Sequence, residues 1–167
     1  MSGLRDVVNE EDEVVGQATK EEVAARSLIC RVSFIMLAND RGELLLHQRA
    51  ATKKTYPHYW SGAAAGHLDA GESYLECALR ETKEEIGITV DLEEIGRFYS
   101  APDREMVGVF LGHFNNLDDL TIEPLEVEKV EFFSPARLEQ ERPTMKVTSY
   151  VERSMPLVLP RLRPPVV

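Results

Sequence analysis

The sequence predicts one layered domain of mixed strands and helices, an α+β or α/β arrangement. Three observations lead there. The chain has 167 residues, 43% of them apolar, enough for one sizeable core and too few for a second full domain. Short β-branched and apolar runs alternate with segments of helical periodicity along its length. The sequence contains no internal repeat or low-complexity tract.

From the N-terminus, the apolar runs around Val7-Val8 and Val14-Val15 flank the charged turn Glu10 to Glu13 and predict a small hairpin. Thr19 precedes Lys20 to Arg26, a capped helix of two turns, and these elements form an extension over residues 1–27. Leu28 to Ala38 predicts a buried strand. The turn signal Asn39-Asp40-Arg41-Gly42 joins it to a second strand, Glu43 to Arg49, as a hairpin. Residues 50–65 predict a long loop running into a short strand. Glu72 to Ile86 has a helical pattern, with Gly87 at the position of a C-cap. Ile88 to Tyr99, Met106 to Phe114 and Val127 to Phe133 predict strands. Ser134-Pro135 opens a short helix, because proline suits the first helical position. The tail, residues 144–167, predicts a further helix perturbed by Pro156 and ended by Pro160.

Composition narrows the function. A formal charge of −10 excludes a passive nucleic-acid coat, which needs lysine and arginine to neutralise phosphates. It does not exclude small phosphate esters, provided a divalent cation supplies the positive charge. Two cysteines, Cys30 and Cys77, are too few for a disulfide framework and lie in no metal-spaced motif. The acidic N-terminus does not read as a signal peptide, and no apolar run approaches the roughly 20 residues that span a bilayer. A cytoplasmic protein, with neither membrane nor polymeric nucleic acid as partner, is the expectation.

The chemistry concentrates in Gly66 to Ile88, GHLDAGESYLECALRETKEEIGI. On a helix, with Glu81 at 0°, Glu85 falls at roughly 40° and Glu84 at roughly −60°. Leu75, Leu79, Thr82 and Ile86 fall at roughly 100° to 160°, a separate apolar stripe suited to packing on a sheet. Clustered carboxylates repel one another and oppose the helix dipole near its C-terminus. The arrangement becomes favourable when a hard cation such as Mg²⁺ sits among the oxygens. Arg80 is spaced to pair with Glu72 and hold the preceding loop. Gly66 and Gly71 allow that loop its tight backbone, and a carbonyl near Gly66 can complete a metal shell.

The segment resembles the Nudix box, G-x5-E-x7-R-E-U-x-E-E-x-G-U, at Gly66, Glu72, Arg80, Glu81, Glu84, Glu85, Gly87 and Ile88; Thr82 replaces the usual aliphatic residue. Seven fixed identities arise by chance at roughly one start in 10⁸. The resemblance implies the Nudix fold, an α/β/α sandwich with a mixed sheet between helices, over a single domain of residues 1–167. It also implies a nucleotide pyrophosphohydrolase in which Glu81, Glu84 and Glu85, with Gly66, bind Mg²⁺ or Mn²⁺. The general base then comes from Glu84 or Glu126, the latter on a late acidic strand and ranked above Glu128.

The flanks narrow the resemblance. Asn9 to Val14, Leu44 to Arg49, Trp60 and His67 look like the branch shared by type I isopentenyl-diphosphate isomerase and its hydrolase relatives. That isomerase needs a cysteine just before the box glycine, where this chain has Ala65, and metal-binding histidines from the N-terminal region. The first histidine here is His47, and Cys30 stands at an expected ligand position. Of the remaining ligands, His67 fits and Asp103 and Glu105 are available as an acidic pair, but the nucleophile is missing, so isomerase activity is not expected. A catalytically dead sensor would have lost box carboxylates, and all are retained. Arg49, Lys53 and Lys54 are placed to touch phosphates, His67 to contact metal or substrate, and Trp60, Tyr56, Tyr59 and Phe34 to stack on a base; each also has an ordinary surface or core reading. Cys77 reads as a packing residue. Without a long insertion to grip a second large moiety, simple nucleoside di- or triphosphates are the expected substrates. The N-terminal extension offers a surface for a homodimer.

Overall fold

A computed structural model describes residues 3–162 of the chain. The first two residues of the expected extension and residues 163–167 of the expected tail lie outside the described residues.

The N-terminal hairpin pairs β1 (Leu4–Val8) with β2 (Val14–Thr19), antiparallel, with a register shift between Val7 and Val8. Asn9 closes its turn by accepting the amides of Glu11 and Glu13 on Oδ1. Helix α1 (Lys20–Arg26) starts at a reciprocal cap: Thr19 Oγ1 accepts the Glu22 amide, and Glu22 Oε2 accepts the Thr19 amide. The hairpin lies against the body of the protein, where Val8 donates its amide to Ile29 and Ala70 donates to Leu4.

The main sheet has seven strands. At its centre, β3 (Cys30–Ala38) runs parallel to β8 (Glu105–His113), which pairs antiparallel with β7 (Leu92–Ser100). The predicted hairpin of β3 with β4 (Leu44–Arg49) exists only at its turn, through Leu37 opposite Leu45 and Ala38 opposite Leu44. Beyond that the two strands part. Into the gap come β5 (Trp60–Ser61), which pairs with β4, and β6 (Ala64–His67), which pairs with β3. Residues 50–65 therefore supply two strand pairings rather than one, and the wedge carries Gly66 into the sheet opposite Ser33. His47 pins it by donating Nδ1–H to the Gly62 carbonyl at 2.6 Å; burial pushes this imidazole down to about 4, so it stays neutral. Strand β9 (Val127–Phe133) covers the other edge of β4.

Both faces of the sheet are covered, as expected for an α/β/α sandwich. Alternation along β3 sends Ile35 and Leu37 to the layer containing α2 (Tyr74–Ile86), with Cys77, Ala78, Ile86 and Phe110. It sends Val32, Phe34 and Met36 to the opposite layer, with Leu138 of α3 (Pro135–Glu141) and Val151 and Val158 of α4 (Ser149–Val158). The tail helix continues through Pro156 and passes into a 3-10 turn at Leu159.

Candidate metal and phosphate site

Helix α2 begins after Ser73, whose Oγ accepts the Glu76 amide at 3.0 Å, so Glu72 lies in the preceding turn rather than in the helix. It ends at Gly87, whose φ of 76° is the left-handed conformation a C-cap requires. The buried face of the helix keeps Thr82 and Ile86 of the expected apolar stripe but is rotated away from Leu75. Leu75 is 44% exposed, while Tyr74, Cys77, Ala78, Thr82, Glu85 and Ile86 are buried. The small side chains of Cys77 and Ala78 let the helix close on β6 and β3, and Thr82 satisfies its hydroxyl on the Ala78 carbonyl at 2.7 Å. Glu81 and Glu85 consequently point into the helix–sheet junction, not onto a separate solvated face. Glu84 remains in solvent, its side chain 58% exposed.

Gly66 shows how close this junction is. A Cβ added there would lie 2.1 Å from Cδ of Glu81, so only glycine leaves room for that carboxylate. Arg80 organises the loop around it. Its Nε and Nη2 donate to the two oxygens of Glu72 at 2.8 Å each, and Nη2 also reaches the His67 carbonyl at 3.1 Å. Its Nη1 donates to Glu81 Oε1 at 2.8 Å and to Glu84 Oε2 at 3.4 Å. The Arg80 fork holds the Glu72 carboxyl below its ordinary value.

Glu81 and Glu85 are less well satisfied. Burial pushes the Glu81 carboxyl up to about 7, against the pull of Arg80. Burial and the charge of Glu81 push Glu85 well above the ordinary carboxylate range; it accepts the Ala65 amide at 3.1 Å. Glu126, at the start of β9, adds its negative charge to both and forms an ion pair with Lys53 at 2.5 Å. Arg49 donates to the Thr55 carbonyl and hydroxyl, and the charges of Glu85, Glu126 and Glu105 all bear on it. The cluster thus gathers Gly66, Arg80, Glu81, Glu85, Glu126, Arg49 and Lys53.

Other expected residues lie elsewhere. Trp60 is a core residue, 8% exposed and edge-on to Phe133 at 5.1 Å, so its reading as a substrate contact is corrected. The chain around Val147 causes this, because Trp60 exchanges backbone hydrogen bonds with Lys146 and Thr148 and is covered by them. Phe34 is fully buried as well; of the four aromatics, Tyr56 and Tyr59 lie nearest the surface. Glu128 pairs with His58 at an exposed position. Burial pushes the Cys77 thiol up to about 12, in keeping with a packing role. His67 binds Glu105 at 2.5 Å, and Tyr150 donates its hydroxyl to the same carboxylate. Burial pushes Glu105 up, but the bond to His67 and its charge outweigh that and hold it below its ordinary value. The sequence reading missed Tyr150, which lies 45 residues from Glu105 in a different element.

Among the described residues no three His, Cys, Asp or Glu side chains already converge on one ion position. The cause is visible, since Glu81 is turned to Arg80 and Glu85 to the Ala65 amide. The donor set is nevertheless all oxygen and short of positive charge, with Glu85 buried and Glu81 half-buried, which suits a hard divalent cation.

Comparison with known proteins shows the family. The NUDIX domain family model matches residues 30–151. The uncharacterized Nudix hydrolase PA4841 of Pseudomonas aeruginosa is 37% identical over 131 residues, 77% of this chain and 76% of the relative. The uncharacterized Nudix hydrolase YfcD of Escherichia coli K12 is 40% identical over 95 residues, 56% of this chain and 53% of the relative. In fold, the chain resembles DR0079 from Deinococcus radiodurans with a TM-score of 0.79 at 22% identity, covering 92% of this chain and 98% of that one. It also resembles the NUDIX domain of Shewanella oneidensis NrtR, solved with ADP ribose, with a TM-score of 0.65 at 16% identity over 86% of this chain and 99% of that one. The family match and its relatives support a hydrolase acting on pyrophosphate bonds. The chain belongs to the Nudix family. Among the described residues no helix is long and apolar enough to cross a membrane.

Proposed function

We propose that this protein is a Mg²⁺-dependent pyrophosphohydrolase, with Mn²⁺ able to substitute, that cuts the phosphate chain of nucleoside di- or triphosphates. The observation that carries the reading is a pair of carboxylates at the helix–sheet junction, half-buried Glu81 against Gly66 and buried Glu85 on the Ala65 amide, with Arg80 as the cation that reaches Glu81 directly. Glu81, Glu84, Glu85 and the Gly66 carbonyl are the residues that hold the ion. When bound, the ion neutralises phosphate oxygens and acidifies an attacking water. The chain's own residues do the rest. Arg80 and Glu72 fix the loop that carries Gly66. Arg49, Lys53 and His67 line the approach and orient the phosphate chain. Glu126 accepts the proton of the water, because it faces Glu81 and Glu85 and is held by Lys53; Glu84 is the alternative base. The whole chain, 1–167, acts as one domain.

The test is phosphate release across nucleoside di- and triphosphates, nucleotide sugars, ADP-ribose and isopentenyl diphosphate, with Mg²⁺, with chelator and with Glu85→Gln. Metal-dependent turnover of a nucleotide that collapses in the variant supports the reading. Folded, Mg²⁺-binding protein that turns over none of them overturns it. Glu126→Gln and Glu84→Gln separate the two bases, because the true base loses kcat while Mg²⁺ affinity is kept.

A further inference from the structure

A cavity of about 290 Å³ opens between α1 and the start of β8, with His67, the residue after Gly66, in its wall. Its cationic lining comes from Arg5, Lys20 and Arg104, while Val23, Ala24 and Leu28 give it an apolar side. Two of the three cations, Arg5 and Lys20, precede the family-matched residues 30–151, so the cavity is largely a product of this chain's own extension.

Its charges are unbalanced. The carboxylates in its wall are already engaged: Glu105 by His67 and Tyr150, Asp103 by the Ser100 hydroxyl at 2.7 Å and the Tyr56 hydroxyl at 3.2 Å. Among the described residues neither Arg5, Lys20 nor Arg104 forms an ion pair. Arg104 is held instead by a single bond from Nε to the Ser27 carbonyl at 3.0 Å. Its φ of 56° is a left-handed conformation costly for arginine, and such backbone persists where the surroundings impose it. Arg5 hydrogen-bonds the Cys30 side chain and its charge bears on Glu105, so a chain with a net charge of −10 has gathered three cations, none in an ion pair among the described residues, at one concave place beside its box loop. Cations in a small partly apolar cavity attract an anion that is attached to something larger. The volume corresponds to about ten waters, room for a phosphate on a sugar or on a phosphate chain.

We infer that this cavity is a binding site for the terminal phosphate of the substrate, beyond the anhydride that is cut. It rests on the pyrophosphohydrolase reading for its purpose, and it names the substrate class more closely: nucleoside phosphates whose X group ends in a phosphate. That phosphate comes from one of two sources, the end of a nucleoside triphosphate or a phosphorylated sugar.

The test has an arm independent of catalysis. Inorganic phosphate is titrated calorimetrically into the full chain in EDTA, where no cation site contributes, against Arg5→Gln and Lys20→Gln. Lys20 is exposed on the first turn of α1, so its variant tests the cavity even if Arg5→Gln disturbs the hairpin. Each substitution is expected to weaken phosphate binding about tenfold, the loss of one charge-assisted contact. In the second arm, KM is compared for a nucleoside triphosphate against its diphosphate and for NADP⁺ against NAD⁺, with Mg²⁺. Lys20→Gln should raise KM about tenfold for the phosphate-ended member of one pair and leave the other member and kcat unchanged; which pair responds identifies the source. Absence of phosphate binding in EDTA, binding equal in both variants, or KM rising equally for both members of each pair would overturn the inference. If no substrate turns over, the hydrolase reading fails while the calorimetric arm still decides the cavity.

Discussion

Asp12 lies where the N-terminal hairpin meets α2, its side chain 13% exposed, and it is amply partnered. It accepts Nε of Arg31 and Nη1 of Arg97, each at 2.7 Å, and the hydroxyl of Tyr74 at 3.0 Å, while its carbonyl takes Nη2 of Arg31. Arg97 also lies over the Tyr74 ring at 4.0 Å. Glu85 is buried at the other end of the same helix, beside Glu81, and accepts the backbone amide of Ala65. The first carboxylate is taken out of water with two guanidinium groups and a hydroxyl, the second beside another carboxylate. A buried charge with too little counter-charge is costly, and on the proposed function a cation from outside supplies what the second cluster lacks. Structural acid and candidate functional acid are thus distinguished by their partners, not by their burial.

The comparison can be broken most decisively at Glu85. Glu85→Gln keeps the shape and removes the charge; Mg²⁺-dependent hydrolysis should fall by roughly 10²–10³-fold, as for loss of a single electrostatic contact in an active site. Steady-state rates at saturating Mg²⁺ check this. Next comes Asp12→Ala, which leaves Arg31 partly buried and unpaired and should cost about 3 kcal/mol, read as a lower denaturation midpoint with unchanged slope. Asp12→Asn, retaining hydrogen-bond acceptors, should cost less. In EDTA at pH 8 the sign should reverse at the other cluster, with Glu85→Gln more stable than the parent by about 1–3 kcal/mol; added Mg²⁺ should restore the parent's advantage.

Dependence on pH sharpens the same contrast. Glu81 rises from an ordinary 4.5 to about 7, and Glu85 also rises, so the metal-free folded chain holds protons that the unfolded chain has released. The native state then binds more protons than the unfolded one, and stability must fall as pH climbs from about 4.5 through about 7. Thermal unfolding in EDTA should show this decline, and Glu85→Gln should flatten it. The smallest expected effect tests which way the helix faces: Leu75→Ser should change stability by less than about 0.5 kcal/mol, whereas Ala78→Val should cost about 1–3 kcal/mol by overpacking.

The layered fold was legible because its signals are local. The Thr19 and Ser134 caps, the Gly87 stop and the alternation along β3 each need only a few neighbouring residues. The bridge from Arg80 to Glu72 was legible for the same reason, as its ends lie eight residues apart. What could not be read is set by distant pairing. The wedge of β5 and β6 between β3 and β4 depends on which edges meet, and no local pattern encodes that. Trp60 is core because a segment more than eighty residues later lies along it. The face of α2 was read correctly at Thr82 and Ile86 and misjudged at Leu75, which weighs more by hydrophobicity than Cys77 or Ala78, whereas close packing on the sheet selects small side chains. The Asp12 cluster joins positions 19, 62 and 85 residues away, separations at which spacing carries no information.

The central claim is that Glu81 and Glu85 are left short of counter-charge because they receive a divalent cation. The most direct measurement is calorimetric titration of Mg²⁺ into the full chain at pH 7, in two buffers of different ionisation enthalpy, with Glu85→Gln alongside. Binding accompanied by proton release, abolished or weakened at least about tenfold in the variant, is the predicted result. Mg²⁺ binding without proton release, or of equal strength in Glu85→Gln, would contradict it.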